Sequence, residues 1–302
     1  MTKIALLVVY NHRYDKNVER IEQLYKGKFS YIYHLMPFYD GNVDNVIPVY
    51  ASSFHFQSYI AQAYQHIKKN GFTHYFMVAD DMIINPAINE NNLFSFTGIR
   101  EDQCFITNLR NVLNKKDFWN YMFEAYKYNP YPKGTEIRNI LPQYSDAKEK
   151  LLSQGFSLSD SDTITMVRSV LFFAKRKRLR VMKKAIKAIF GPKKTRYPLI
   201  AGWSDIVLVT DSVMPQFCTY CGAFGATNLF VEIALPTALA LCTNQITTGN
   251  KLSLKYIRLL YQLPEKEQQD FYNKYEYSLS KLIQEYPQDF FFIHPIKLSQ
   301  WK

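Results

Sequence analysis

Short apolar runs alternate with amphipathic helical segments over the first 80 residues, and this alternation constrains the fold more than any other feature. Residues 3–10 and 74–78 are almost continuously apolar, which is typical of strands buried on both faces of a parallel sheet. Residues 18–25 and 58–69 carry apolar side chains at helical spacing, and Gly71 is well placed to cap the second helix. Strand–helix alternation with short connections predicts an α/β fold with a doubly wound, mostly parallel, Rossmann-like central sheet flanked by helices.

The rest of the chain gives further elements but no internal repeat. Asp162 is a candidate N-cap for a helix that begins at Thr163, continues into a basic stretch and stops at Gly191 and Pro192. Additional strands are predicted at residues 29–35, 46–50, 205–210 and 290–293. An aromatic-rich helix is predicted within residues 115–128, and helical structure over most of 228–241 and much of 252–286.

The excess of positive over negative charge is confined to one segment. The chain has 37 Lys and Arg against 26 Asp and Glu, and residues 175–196 contribute 11 of the basic residues and no acidic one. The remainder is therefore electrically neutral, which argues against a nucleic-acid binder with a basic surface spread over the fold. The segment instead predicts one local contact with an anionic partner.

Apolar residues at near-helical spacing make that segment a basic amphipathic helix, typical of membrane-surface binding. A solvated charged face and a nucleic-acid contact are the alternatives. The cations expected to face an anionic membrane are Lys175, Arg176, Lys177, Arg178, Arg180, Lys183, Lys184 and Lys187.

No signal peptide and no transmembrane helix is expected, since no run of about 18 uninterrupted apolar residues occurs. Four cysteines are few for a secreted disulfide scaffold, and the lone pair Cys218 and Cys221 is interpreted as packing rather than as a zinc site. We therefore expect a cytoplasmic protein that binds peripherally to the inner face of the plasma membrane.

Two adjacent carboxylates, Asp80 and Asp81, directly follow the predicted strand 74–78. In open α/β sheets ligands bind beyond the carboxyl ends of the strands. Adjacent carboxylates repel each other, and Mg²⁺ or Mn²⁺ would neutralise them while bridging to substrate phosphates. A solvated turn with one aspartate as a helix cap is the alternative interpretation.

Two further segments carry candidate functional side chains. His294 follows the apolar run 290–293, and it could share a metal ion with a distant aspartate, while Lys297 could reach a diphosphate. Glu232 is a single carboxylate among apolar residues, where desolvation would raise its pKa toward that of a general base. A packing histidine and a paired or capping glutamate are the structural alternatives. Gly222 and Gly225 could let a sugar or phosphate approach the backbone.

Taken in order, these segments resemble GT-A fold glycosyltransferases, and more narrowly the bacterial enzymes that build capsular polysaccharide or lipopolysaccharide O-chains. The order of the segments carries the resemblance, since no single motif is specific. The segments run from residue 10 to residue 299 and read YNHRYDKN, YFMVADDMIINP, GWSDIVLV, GATNLFVEIALPTAL and FFIHPIKLS.

The resemblance implies a nucleotide-sugar donor, Mn²⁺ or Mg²⁺ on its diphosphate, and transfer of the sugar to the hydroxyl of a glycan or lipid-linked acceptor. Asp81 and His294 would hold the metal, although Ala79 replaces the first acid of the family's DxD motif. Glu232 would deprotonate the acceptor, which favours inversion over retention. The donor would be bound by Asn11, His12, Asp15, Asp80, Trp203, Asp205 and Lys297.

The resemblance also implies one GT-A catalytic domain over residues 1–302. Residues 1–110 would form the nucleotide-sugar-binding half, residues 111–196 a helical region that holds the basic insertion, and residues 197–302 the acceptor-binding and C-terminal half. A UDP-sugar, including galactose in either ring form, is the expected donor. Two other function classes remain: a non-enzymatic membrane or nucleic-acid adaptor that uses the basic segment, and a two-metal nucleotidyltransferase.

Overall fold

The computed structural model describes residues 2–113, 118–158, 162–192, 194–257 and 259–302. The strands are β1 Ile4–Val9, β2 Tyr31–Pro37, β3 Val46–Val49, β4 His74–Ala79, β5 Ile83–Ile84, β6 Cys104–Ile106, β7 Arg110–Asn111, β8 Ile200–Ala201, β9 Ile206–Thr210, β10 Ile246–Thr248, β11 Lys255–Ile257 and β12 Phe290–Ile293. The α-helices are α1 Asp15–Tyr25, α2 Gln57–Ile67, α3 Leu93–Thr97, α4 Met122–Lys127, α5 Tyr144–Ser153, α6 Thr163–Lys175, α7 Leu179–Ile189, α8 Met214–Ala226, α9 Val231–Cys242, α10 Glu265–Tyr275 and α11 Leu279–Gln284. Short 3₁₀ turns lie at Ser53–His55, Lys68–Asn70, Gly249–Lys251, Leu260–Gln262 and Leu298–Gln300.

Seven strands form the central sheet in the order β10-β6-β9-β4-β1-β2-β3. Strand β9 is antiparallel to both of its neighbours, and the other pairings are parallel. The α/β prediction is therefore confirmed, with a mixed sheet. From β1 the chain proceeds outward through β2 and β3, and β4 then pairs with the other side of β1. The strand order thus reverses between β1 and β4, which is the position where open α/β sheets bind ligands.

The burial of strand β1 on both faces explains why polar and apolar residues do not alternate in its sequence. All six residues are buried, and successive side chains enter two different apolar layers, one on each face of the sheet. Helices α2, α8 and α9 contribute to one layer, and helices α1, α10 and α11 contribute to the other. The sheet is consequently covered on both faces.

A second, three-stranded sheet has the order β11-β12-β5. Strand β5 begins two residues after Asp81, and it pairs antiparallel with β12, which ends immediately before His294. This small sheet brings the C-terminal segment to the end of β4, although the two regions are far apart in the sequence.

One helical prediction is wrong. The helix predicted to continue from Thr163 through the basic stretch is broken at Lys177, whose φ of 53° is left-handed, so that α6 and α7 form two packed helices. The aromatic-rich helix predicted within residues 115–128 is present as Met122–Lys127, and residues 114–117 lie outside the described residues.

Candidate functional site

A cavity of about 620 Å³ opens at the carboxyl ends of β1 and β4. The loop after β1, the turn Ser53–His55, the turn after β4 and the chain after β12 line it. Its size is that of a small-molecule site, and it lies where the strand order reverses. Five of the predicted site residues line this cavity: Asn11, His12, Asp80, Asp81 and Lys297.

Asp81 and His294 meet at the edge of this cavity. The His294 Nε2 atom lies 3.0 Å from the Asp81 Oδ1 atom. The backbone holds both residues, because the Ile296 amide donates to the Asp81 carbonyl at 2.6 Å and the His294 amide donates to the Ile257 carbonyl at 2.8 Å. The convergence predicted for the two side chains is thus present, and the pairing of β5 with β12 produces it.

The Asp81 Oδ1 atom is buried yet has no hydrogen-bond partner within the described part of the chain. Its 3.0 Å contact with the imidazole lacks hydrogen-bond geometry. Two ligands of one octahedral Mg²⁺, each about 2.1 Å from the ion and at right angles, would lie about 3 Å apart. The pair therefore fits a shared divalent ion.

The described residues contain no group of three or more His, Cys, Asp or Glu side chains that could hold a metal ion. Mg²⁺ sites commonly use one or two protein side chains and complete their coordination with water and substrate phosphates. The donor set of Asp81 and His294 is therefore suited to a metal that arrives with a phosphorylated substrate, and not to a closed structural site.

Asp80 occupies a different environment from Asp81. Its side chain is buried, and burial raises the pKa of Asp80 to about 7, with a further contribution from the Asp81 carboxylate. Hydrogen bonds from the Asn11 backbone and the Asn17 side chain oppose that rise. A cation beside the pair would lower the pKa of Asp80 and so favour its ionised form.

A second acidic region is formed by the loop between β8 and β9 and by the first turn of α9. The Gly202 amide donates to the Glu232 carbonyl at 2.9 Å, and the Trp203 amide donates to the Asn108 side chain at 2.8 Å. The Ala79 amide donates to the Asp205 carbonyl at 2.9 Å, which ties this loop to the end of β4.

Tyr261 shows that the two acidic regions are near each other. Burial raises the pKa of the half-exposed Tyr261, and the carboxylates of Asp205, Glu232 and Asp81 raise it further. All three acids therefore act electrostatically on one hydroxyl group. Sequence reasoning missed Tyr261, since a tyrosine in an irregular segment gives no periodic signal.

Asp15 is placed differently from the predicted donor-binding residues that line the cavity. It is the first residue of α1, is exposed, and pairs with Arg13 at 2.8 Å. Arg13 also pairs with Asp40 at 2.7 Å, so the structure places Asp15 in a surface ion-pair group. The cavity lining does not include it.

Gly222 and Gly225, which were predicted to admit a ligand, lie within α8, which packs on α2. A Cβ atom on Gly225 would overlap the Ser58 hydroxyl, so the absence of a side chain at Gly225 allows the two helices to approach. A Cβ atom on Gly222 would meet only Ala61 at 3.7 Å, and the lining of the cavity at the ends of β1 and β4 includes neither glycine. Cys218 and Cys221 are on the same helix and are buried, as expected of packing residues.

The basic segment carries an exposed apolar stripe and two cations that contact the body of the protein. Arg178 donates to the Asn120 side chain at 2.9 Å, and Lys184 pairs with Glu124 at 3.0 Å. These two residues were predicted to face the membrane, but their charged groups instead contact other side chains of the protein. The other six predicted membrane-facing cations are all exposed: Lys175, Arg176, Lys177, Arg180, Lys183 and Lys187.

In the described ranges, no helix has both the length and the apolarity needed to cross a bilayer. Comparison with known proteins found no protein-family model and no curated protein that matches the chain. The functional signal therefore comes from the geometry of the site, and above all from the meeting of Asp81 with His294.

Proposed function

We propose that the protein is a metal-dependent glycosyltransferase that uses a nucleotide-sugar donor. The observation that carries this proposal is the 3.0 Å approach of His294 to Asp81, whose carboxylate oxygen lacks a hydrogen-bond partner among the described residues. Lys297 lines the same cavity and supplies a further positive charge for a diphosphate. The cavity lies at the strand-order reversal, which is the general site of nucleotide binding in doubly wound sheets.

Each residue has a role that its position supports. Asp81 and His294 would hold Mn²⁺ or Mg²⁺, which supplies charge neutralisation at the leaving diphosphate. Lys297 stabilises the same developing charge. Asn11, His12 and Asp80 contact the nucleoside at the end of β1, while Trp203 and Asp205 approach the donor sugar. Glu232 accepts the proton of the acceptor hydroxyl, which gives inversion at the anomeric carbon.

A UDP-sugar, with galactose in either ring form, is the proposed donor, and a hydroxyl of a glycan or lipid-linked glycan is the proposed acceptor. Bacterial surface polysaccharide synthesis, of capsule or lipopolysaccharide, is the process in which such a reaction occurs. The support for this narrower statement is the sequence resemblance, which extends over residues 10–299.

A peripheral membrane position accompanies this proposal. Helix α7 leaves Leu179, Ile186 and Phe190 exposed on one face, at 62%, 41% and 88% of their surface. Exposed lysines accompany them, and a basic helix with an apolar stripe binds anionic membrane surfaces. An enzyme held there would meet a lipid-linked acceptor without a membrane-spanning segment.

A thermal-shift screen of nucleotide sugars with and without Mn²⁺ tests the enzymatic proposal. We expect a UDP-sugar to raise the melting temperature only when the metal is present, because binding to the folded state stabilises it by mass action. Product analysis then separates sugar transfer from nucleotide transfer. Failure of every nucleotide to stabilise the protein would contradict the proposal and favour an adaptor function.

A further inference from the structure

Four aromatic side chains from three segments of the chain meet beside the cavity. The rings of Tyr121 and Phe230 are stacked at a centroid distance of 3.9 Å. The Phe54 ring lies 6.2 Å from Tyr121 and 6.0 Å from Phe230, and the Trp119 ring lies 6.5 Å from Phe230. We call Phe54, Trp119, Tyr121 and Phe230 the aromatic shelf.

The inner side of the aromatic shelf is fixed by specific contacts. The Trp119 indole donates to the Val112 carbonyl at 2.8 Å, and the Arg110 guanidinium lies 4.5 Å from the Trp119 ring centroid. The outer side is open, because Phe54 is 52% exposed and lines the cavity. A fixed aromatic surface with one open face is a preorganised binding surface, since little side-chain entropy remains to be lost.

The position of the aromatic shelf indicates which substrate group would bind on it. At one end it borders the donor cavity through Phe54, and Phe230 precedes Glu232 by two residues. At the other end the Lys184 ammonium lies 5.7 Å from the Tyr121 ring centroid, which joins the shelf to the basic helix α7. A group bound on the shelf would therefore lie between the proposed donor site and the proposed membrane contact.

We propose that the aromatic shelf is the acceptor subsite and that it binds a sugar ring of the acceptor. This inference rests on the proposed function. A sugar ring has an apolar C–H face that packs on aromatic rings and a polar edge whose hydroxyl groups stay free to react. The shelf offers the aromatic face, and Glu232 offers the carboxylate that the reacting hydroxyl needs.

Saturation-transfer NMR with octyl β-D-galactopyranoside and octyl β-D-glucopyranoside, in the presence of UDP and Mg²⁺, tests this assignment. In the wild-type protein we expect transfer to the sugar-ring protons of at least one probe. Phe54→Ala and Tyr121→Ala should each reduce that transfer at least fivefold, and Phe54→Trp should retain it. Tyr144→Ala, which removes a 46% exposed ring from α5, is the matched control and should match the wild type.

Several outcomes overturn the proposal. Saturation transfer confined to the octyl protons would show that the shelf binds hydrocarbon chains and not sugar rings. Absence of transfer to the sugar-ring protons of both probes would show that the shelf is not a sugar-binding subsite. Equal transfer in wild type and in both alanine variants would place the sugar elsewhere. Melting temperatures verify that the variants are folded. If Tyr121→Ala does not fold, Phe54→Ala decides the test, because the Phe54 side chain is exposed and its removal should not disturb the fold.

A separate calorimetric titration with UDP and Mg²⁺ distinguishes this inference from the proposed function. We expect Tyr121→Ala, which does not line the donor cavity, to bind UDP within twofold of the wild type, while Asp81→Asn loses UDP and keeps the sugar-ring signal. Loss of UDP affinity in Tyr121→Ala equal to its loss of sugar-ring transfer would assign the shelf to the donor and overturn the acceptor subsite. Wild-type protein that binds the glycoside on the shelf but not UDP would support the subsite and contradict the donor proposal.

Discussion

Asp80 and Asp81 are neighbours in the chain, but their surroundings differ. Asp80 is buried beneath the cavity, where burial and the adjacent carboxylate raise its pKa to about 7. Asp81 is partly exposed and faces His294. The strand that positions them is buried from His74 to Val78, so the backbone fixes both side chains at its end. This difference is what the proposed function requires, since it assigns a metal ligand and a nucleoside contact to consecutive positions.

Glu232→Gln tests the assigned general base. We expect kcat for sugar transfer to fall by about 10²–10⁴, because proton abstraction by a positioned side chain contributes that factor. The KM for the donor should change little. Glu267→Gln, an exposed position on α10, is the matched control. Steady-state kinetics check this, and a variant with wild-type kcat would contradict the role of Glu232.

His34 provides a prediction about pH. It is buried, it accepts from the Tyr10 hydroxyl at 2.8 Å, and its other nitrogen lies 3.0 Å from Glu22. Burial lowers the pKa of His34, although Glu22 opposes this. The unfolded chain therefore binds a proton at a pH where the folded chain does not. Stability from this group is complete above pH 6.5, the ordinary histidine value, and is lost as the pH falls toward the lowered pKa.

Urea denaturation at pH 7.5 and 5.5 measures this effect. We expect the free energy of unfolding to fall between these values, by at most about 1.4 kcal/mol for each unit of pKa shift. His34→Gln cannot titrate and should lose less stability over the same interval, whereas His66→Gln, at an exposed position on α2, should follow the wild type. Equal losses in all three proteins would show that His34 does not contribute.

At the scale of elements, the pairing of β5 with β12 does most to form the site. Strand β5 has two residues and β12 has four, yet their antiparallel contact brings His294 to Asp81. The loop between β8 and β9 has a comparable role, because Gly202 allows it to approach both Asn108 and the start of α9. Short irregular contacts, and not the long parallel strands, determine which side chains meet.

Gly202→Ala tests this loop against a glycine within a helix. A Cβ atom on Gly202 would overlap the Asn108 backbone carbonyl, which cannot rotate away, so we expect a loss of about 1–3 kcal/mol of stability. Gly222→Ala meets only Ala61 at 3.7 Å and should gain up to about 1 kcal/mol from helix propensity. Chemical denaturation measures both variants. Equal stabilities would contradict the packing described for the loop.

Sequence reasoning found the elements whose hydrophobic pattern is strong. The buried strands β1, β4, β9 and β12 were predicted because their residues are continuously apolar. Strands β6 and β10 have three residues each and were missed, since such short runs have no measurable period. The break at Lys177 was also missed, because the surrounding basic residues are good helix formers.

The candidate site was predictable in part. A strand end identifies Asp80 and Asp81 individually, and another identifies His294. Their meeting depends on the pairing of two short strands far apart in the sequence, and the residues alone do not specify that pairing. The prediction that these residues act together came from the resemblance to glycosyltransferases. Neither route indicated Tyr261 or the aromatic shelf, because isolated aromatic residues are more often part of a core.

The whole molecule combines a cavity at the sheet edge with a basic, partly apolar helix pair. Helix α6 also leaves apolar residues exposed at helical spacing, so the exposed apolar surface extends beyond α7. These side chains are Ile164, Val167 and Leu171. The net charge of +11 lies almost entirely in residues 175–196, which gives the protein a strongly asymmetric field. A membrane surface would bind this side and orient the whole protein.

Cosedimentation with phosphatidylglycerol–phosphatidylcholine vesicles measures membrane binding. Neutralising Arg180, Lys183 and Lys187 with glutamine should weaken partitioning by about 100-fold, because each basic residue near an anionic surface contributes about 1 kcal/mol. The matched control neutralises the exposed Lys148, Lys251 and Lys266 and should retain binding. Equal binding by the two triple variants would contradict a specific contact through α7.

The central claim is that Asp81 and His294 share a divalent ion that binds a nucleoside diphosphate. A calorimetric titration of UDP into the protein, with Mn²⁺ and then with EDTA, tests it most directly. We expect the wild type to bind UDP only with Mn²⁺, and Asp81→Asn and His294→Gln each to lose at least tenfold in affinity while keeping the wild-type fold. UDP binding that is indifferent to Mn²⁺ and to both substitutions, or no UDP binding at all, would contradict the claim.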